Sequence, residues 1–119
     1  MLKDNISAGI DKIRAINGVA ACAIVSRDGI IAGKYFDREL NEPWFGALSA
    51  TLLASAESAG TVIHMHNLGA VTIQADNADI IVLGAGENFL IAAILEGNAD
   101  LNRVVSDARI IAKEIGQVI

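Results

Sequence analysis

Apolar positions recur along the chain with two periods, and the switches between them mark out helices and strands. Leu2, Ile6, Gly9, Ile10, Ile13 and Ile16 fall at steps of three and four, with Lys3, Asp11, Lys12 and Arg14 elsewhere. This predicts an amphipathic helix over residues 2–16, stopped by Asn17-Gly18. The unbroken apolar run Val19 to Val25 has strand length, and the Asp-Gly within Ser26-Arg27-Asp28-Gly29 predicts a two-residue hairpin turn back into a strand from Ile30 to Tyr35. Phe36 to Glu42 carries Asp37, Arg38, Glu39 and Glu42, so it reads as a solvated loop.

The next stretch organises the rest. Pro43 has its φ pre-set for a first helical position, and the helical pattern runs from there to about Asn67. Between Trp44 and His66 the only Asp, Glu, Lys or Arg is Glu57. One stripe of this helix holds Phe45, Leu48, Leu52, Ala56, Ala59 and Ile63; the opposite stripe holds Ala47, Ala50, Ala54, Ser58, Thr61 and Met65. A helix that is apolar or small all round is buried on two sides. One cover is the chain's own sheet, and a second copy of the chain is the economical choice for the other. Two other readings compete. A membrane span needs ~20 mainly apolar residues, but Glu57, His64, three serines and two threonines lie inside this one. Alternatively the helix stops near Gly60, a residue that costs ~1 kcal/mol relative to Ala in a helix, and the β-branched Thr61 to His66 forms a strand.

Beyond the exit Asn67-Leu68-Gly69, Ala70 to Ala75 alternates like a half-buried strand. Asp76-Asn77-Ala78 is a turn, Asp79 to Gly84 a strand, Ala85 to Asn88 a turn, and Phe89 to Leu95 a second unbroken apolar run. Asn98 is the expected N-cap of the last helix, with Asp100 in its first turn. Leu101, Val104, Val105, Ala108, Ile111, Ala112, Ile115 and Ile119 define the apolar side of that helix. The order is α-β-β-α-β-β-β-α in one domain over residues 1–119. The two runs apolar on both faces belong at the centre of a sheet. Hairpin links then give a five-stranded antiparallel sheet of order 2-1-5-4-3, an α+β fold with the long helix on one face and the first and last helices on the other. The third strand lies at an open edge beside the long helix. Ala47, Ala50, Ala54, Ser58 and Thr61 on the helix, with Val71 and Ile73 on that edge, form the expected dimer seam around one two-fold axis.

Composition narrows the chemistry. Aromatics are 4% of the chain against 53% hydrophobics, so Ile, Val, Leu and Ala build the core. The net charge of -5 argues against nucleic acid or an anionic membrane as partner. A single cysteine, Cys22, cannot form an internal disulfide and suits a reducing compartment, and the amino terminus lacks the apolar core of a signal peptide; a cytoplasmic protein is expected. Gly29 to Lys34 is too short for a phosphate loop and is followed by Tyr35. Gly84-Ala85-Gly86 has Phe89 where a dinucleotide fingerprint needs glycine. Cys22 sits in an apolar run that quenches a thiol. His64 and His66 have no Cys or acid beside them to complete a metal site, and Glu57 has no acid, His or Lys one turn away. No catalytic, cofactor or metal site is therefore assigned. Trp44 is either a hydrophobic staple or, with Glu39 and Glu42 of the loop, an anchor for a partner protein.

In this order and spacing, Ile16-Asn17-Gly18-Val19, the hairpin Ser26 to Gly29, the Ala-rich helix Ala47 to Glu57, the apolar strand Phe89 to Leu95 and the amphipathic last helix resemble the roadblock/LC7 family. The resemblance implies a profilin-like sheet, a dimer formed through the second helix and third strand, no catalytic side chain, and binding of a Ras-like small GTPase as scaffold or regulator. Two other roles stay open: a small-molecule-binding sensory module with its pocket under a mobile helix, and a purely structural dimerisation subunit.

Overall fold

In the computed structural model, which describes every residue from Met1 to Ile119, the elements follow the expected order. They are α1 (Leu2–Arg14), β1 (Val19–Ser26), β2 (Ile31–Tyr35), α2 (Glu42–Val62), β3 (Val71–Gln74), β4 (Ala78–Ala85), β5 (Phe89–Glu96) and α3 (Leu101–Gly116). All strands are antiparallel in the order β2-β1-β5-β4-β3. The central pair β1 and β5 is buried along nearly its whole length, as strands apolar on both faces must be.

The sheet divides the interior into two unequal layers. Under α1 and α3, Ile6, Ile10 and Ile13 meet Val104, Ala108, Ala112 and Ile115 across Cys22, Ile24, Ile81, Leu83, Ile91 and Leu95. Under α2 the cluster is smaller: Ala50 and Leu53 rest on Ala23, Val25, Val82, Leu90 and Ala92. The contact line of α2 is Gly46, Ser49, Ala50, Leu53 and Gly60, which matches neither of the stripes read from the sequence. Its first half approaches the β1–β2 hairpin so closely that a Cβ on Gly46 would sit 2.5 Å from the Gly29 carbonyl oxygen. Close approach selects small side chains on the covered side, so hydrophobicity alone misplaces that side.

Four local expectations are corrected. The hairpin turn has three residues, not two: the Gly29 amide donates to the Ser26 carbonyl, the Ser26 amide donates to the Ile30 carbonyl, and Gly29 takes φ 91°, as in a type I turn followed by a bulge. Helix α2 begins one residue before Pro43, because the Asn41 side chain accepts a hydrogen bond from the Trp44 amide and caps it. It stops at Val62, so neither the extension to about Asn67 nor a strand over Thr61 to His66 forms. The Met65 amide donates to the Gly60 carbonyl at 2.8 Å and the His64 amide to the Thr61 carbonyl at 3.2 Å, with His64 at φ 58°. That pair of bonds is a Schellman closure with histidine in the left-handed position where glycine usually stands. Finally, Asp100 rather than Asn98 caps α3, its carboxylate accepting from the Arg103 amide at 3.3 Å.

Cys22 lies fully buried in the larger layer. Burial pushes its thiol from 9.0 up to about 11, with Arg14 and a Tyr35 backbone hydrogen bond pulling the other way.

Two measurements check this account. A left-handed conformation costs an L-residue about 1–2 kcal/mol and glycine loses somewhat more chain entropy on folding, so His64→Gly is expected to raise stability by about 0.5–1 kcal/mol in urea unfolding; a lower midpoint would mean that the imidazole itself holds the turn. For Cys22 the folded state favours the protonated thiol. Its contribution is complete below the unfolded value of 9.0 and is lost as pH rises towards about 11. Thermal stability of the wild type should therefore fall more steeply over that window than that of Cys22→Ala; equal slopes would refute the assignment.

Candidate interaction surface

The uncovered side of α2 is the most unusual surface of the molecule. Ala47, Ala54, Ser58 and Thr61 all face out there, together with Thr51 and Ser55. Ala50, placed in the same seam by its spacing, goes to the other side and packs on the sheet, so it is unavailable to a second chain. The threonine hydroxyls turn back on their own helix: Thr51 donates to the Ala47 carbonyl at 2.9 Å and Thr61 to the Glu57 carbonyl at 3.1 Å. Each therefore presents its methyl group outward. Large apolar side chains sit only at the two ends of this face, Trp44 and Leu48 at 67% and 54% exposure and Val62 at 78%.

The neighbouring edge strand continues the surface. The register pairs Val71 with Val82 and Ile73 with Ile80, which places both on the α2 side of the sheet. Val71 is half-buried against Leu53 and its neighbours, while Ile73 is exposed. The two free edges of the sheet differ. β2 carries Lys34, Gly33 and a register shift opposite Ile24 and Val25, all features that discourage pairing. β3, Val-Thr-Ile-Gln, has no charge, proline or bulge.

The loop before α2 is less available than its composition suggests. Asp37 forms a two-point pair with Arg38 at 2.7 and 3.0 Å, which lowers the Asp37 carboxyl and raises the Arg38 guanidinium. Glu42 pairs with Lys34 on β2, and Glu39 is exposed without an ion pair. Phe36 and Phe45 stack edge to face at 5.8 Å and hold the loop to the helix. Trp44 is largely exposed, which does not fit a hydrophobic staple. At the hairpin, the Ser26 hydroxyl lowers the Asp28 carboxyl.

One cluster had no signal in the sequence. Arg27 donates from Nε to the Phe89 carbonyl at 3.1 Å, from Nη2 to the Gly86 carbonyl at 2.9 Å, and from Nη1 to Glu57 at 2.9 Å. It lies against Gly84, where a Cβ would be 2.8 Å from Nη2. A single side chain thus joins the β1–β2 turn, the β4–β5 turn and α2. Partners thirty or more residues away in the chain follow no local spacing rule.

The clefts offer little to a small molecule beneath α2. The one beside it, about 360 Å³, is occupied at its rim by the Arg27–Glu57 pair. Another, about 790 Å³, is lined by the end of α1 and the start of α3, with Lys12 and Arg103 among Glu96, Asp100 and Asp107. No three His, Cys, Asp or Glu side chains gather to hold a metal, His64 and His66 are exposed, and no helix is long and apolar enough to cross a membrane. Charge is unevenly spread. Helices α1 and α3 hold six cations against four acids, +2, leaving three cations against ten acids, -7, on the remainder.

No curated protein matches the chain significantly. Among solved structures, the gliding protein MglB of Thermus thermophilus superposes with TM-score 0.85 at 12% identity, over 98% of this chain and 89% of that one. A Roadblock/LC7 domain from Streptomyces avermitilis gives 0.77 at 17% identity, over 95% and 92%. Profilin II of Acanthamoeba castellanii gives 0.63 at 18%, over 92% and 96%. These likenesses speak for a shared fold. The family model for the Roadblock/LC7 domain matches residues 9–95, from the middle of α1 to the end of β5, and the chain belongs to that family.

Proposed function

We propose that residues 1–119 act as one non-catalytic domain, in a reducing cytoplasmic compartment, that pairs with a second copy of itself and binds a Ras-like small GTPase, localising it or modulating its turnover. Family membership supports a GTPase-regulating or scaffolding role in general. The observation that carries the dimer is the neutral outer face of α2 beside the unblunted β3 edge. A contact around a two-fold axis sets one surface patch against its own copy, so a seam with charge of one sign would repel itself. The single acid on this helix beyond its first turn, Glu57, is already paired with Arg27.

The seam is then Ala47, Ala54, Ser58 and Thr61 with Val71 and Ile73, and Trp44, Glu39 and Glu42 form the patch offered to the GTPase. The charge of -7 outside α1 and α3 suits a partner with a basic contacting face. Binding in that case weakens as salt rises.

An interface of this kind buries on the order of 1,200–2,000 Å². Ala54→Glu leaves the protomer's own core untouched because Ala54 is exposed. It should weaken the dimer by several kcal/mol through overpacking and an unpaired charge. Sedimentation should show monomers with unchanged circular dichroism, and a fully dimeric variant would remove the seam from this surface. For the GTPase, titration with each Ras-like member encoded in the source cell should reveal at least one that binds with salt-dependent affinity or changes its rate of GTP hydrolysis. Absence of both across the set would defeat the proposal.

A further inference from the structure

We propose that Asn17-Gly18 is a self-modifying site of this chain, where the Gly18 amide nitrogen attacks the Asn17 side-chain carbonyl, expels ammonia and converts the asparagine, through a cyclic imide, into aspartate and isoaspartate. A single protomer carries every group involved, so neither a second copy nor a GTPase is needed.

Two places in the chain set an Asn or Asp directly before glycine, Asn17-Gly18 and Asp28-Gly29. Glycine hinders ring closure least, because no Cβ crowds the attacking nitrogen. The fold treats the two pairs differently. At Asp28 the Ser26 hydroxyl and the residue's own amide hold the carboxyl below its usual range, and an ionised carboxylate is a poor electrophile. The Gly29 amide is engaged as well, donating to the Ser26 carbonyl at 2.9 Å in a buried position. At Asn17 both restraints are missing. Its side chain is exposed and makes no hydrogen bond, and the Gly18 amide donates to no carbonyl or side chain. A carboxamide is uncharged, so its carbon stays open to attack.

The atoms balance with water as the only co-reactant. The Gly18 nitrogen bonds to Cγ of Asn17, the bond from Cγ to Nδ2 breaks, and the amide proton departs with Nδ2 as ammonia. Solvent reaches the imide through the open cleft that Asn17 and Gly18 line. Water then opens the ring at either carbonyl and returns a proton to the Gly18 nitrogen. Opening at Cγ gives aspartate. Opening at the main-chain carbonyl gives isoaspartate, in which the backbone runs through the side chain.

The turn itself keeps the labile pair in place. Gly18 takes φ 102°, and a Cβ on it would sit 2.7 Å from the Ala99 Cβ, so no larger residue fits. Two hydrogen bonds make the turn a junction: the Glu96 amide donates to the Gly18 carbonyl at 2.8 Å, and the Val19 amide to the Ile16 carbonyl at 3.1 Å. Isoaspartate lengthens the chain here by one carbon–carbon bond, about 1.5 Å, and disturbs both. Aspartate leaves the chain path intact and adds a carboxylate to a cleft that already holds Glu96, Asp100 and Asp107.

The wild type is to be held for days in mildly alkaline buffer at physiological temperature, folded and in parallel in guanidinium chloride. Peptide mass mapping and enzymatic methylation of isoaspartyl carboxylates follow the two pairs. In the folded protein the Asn17 peptide should gain one mass unit and divide between aspartate and isoaspartate, faster as pH rises because the attacking nitrogen must lose its proton. The Asp28 peptide should acquire isoaspartate only in guanidinium chloride. A folded protein whose Asn17 stays intact overturns the site. Isomerisation of Asp28 in the folded protein as fast as Asn17 converts overturns the distinction drawn between the two turns. The isoaspartyl species, isolated by anion exchange, should melt below the unmodified protein, with Asn17→Asp melting close to it; an isoaspartyl species that melts with the wild type overturns the role of the turn as a junction.

Discussion

Helix α2 is held to its own sheet by a narrow line of contact, and the rest of the architecture follows from that narrowness. Gly46 meets the backbone of Gly29, Ala50 and Ser49 fill the next turn, and Leu53 is the one large side chain that the helix buries fully. Burial of a leucine of this kind is worth about 1.5–3 kcal/mol, which is modest for an element of 21 residues. By contrast, α1 and α3 each drive several branched side chains into the larger layer. The molecule is therefore asymmetric: one face is sealed from within, and the other carries a helix with an uncovered, neutral back.

The Arg27 cluster has to be understood against that thin attachment. Past Leu53 the helix has only Gly60 buried, and its last turns would be loosely restrained. Three hydrogen bonds from one guanidinium tie this half of α2 to the β1–β2 and β4–β5 turns. Both partners of the ion pair are partly exposed, so its Coulomb energy is small. Its value lies in geometry: the planar, forked guanidinium fixes where Glu57 and hence the helix can sit.

The contrast between the two sheet edges completes the picture. Lysine and a register irregularity discourage pairing at the free edge of β2, while β3 is short and uncharged and exposes Ile73. Together with the acidity of everything outside α1 and α3, this gives one surface suited to a second copy and its surroundings suited to a basic partner.

The amino-acid sequence by itself determined the element order, the central place of Val19 to Val25 and Phe89 to Leu95, the strand order, and the amphipathic faces of the first and last helices. Those features are written in short-range periodicity, and periodicity is a property of neighbours in the chain. It also exposed the neutrality of α2, because absence of charge needs no partner to be seen. Which side of α2 meets the sheet was decided only by tertiary structure: the approach of Gly46 to Gly29 selects small residues on the covered face, so Ala50 turned inward while Leu48 and Trp44 turned out. The end of that helix likewise depended on hydrogen bonds from Met65 and His64 back to Gly60 and Thr61, formed by a histidine in a conformation that its side chain does not advertise. The bond from Arg27 to Glu57 joins positions thirty residues apart, and only the folded sheet brings such distant groups within reach.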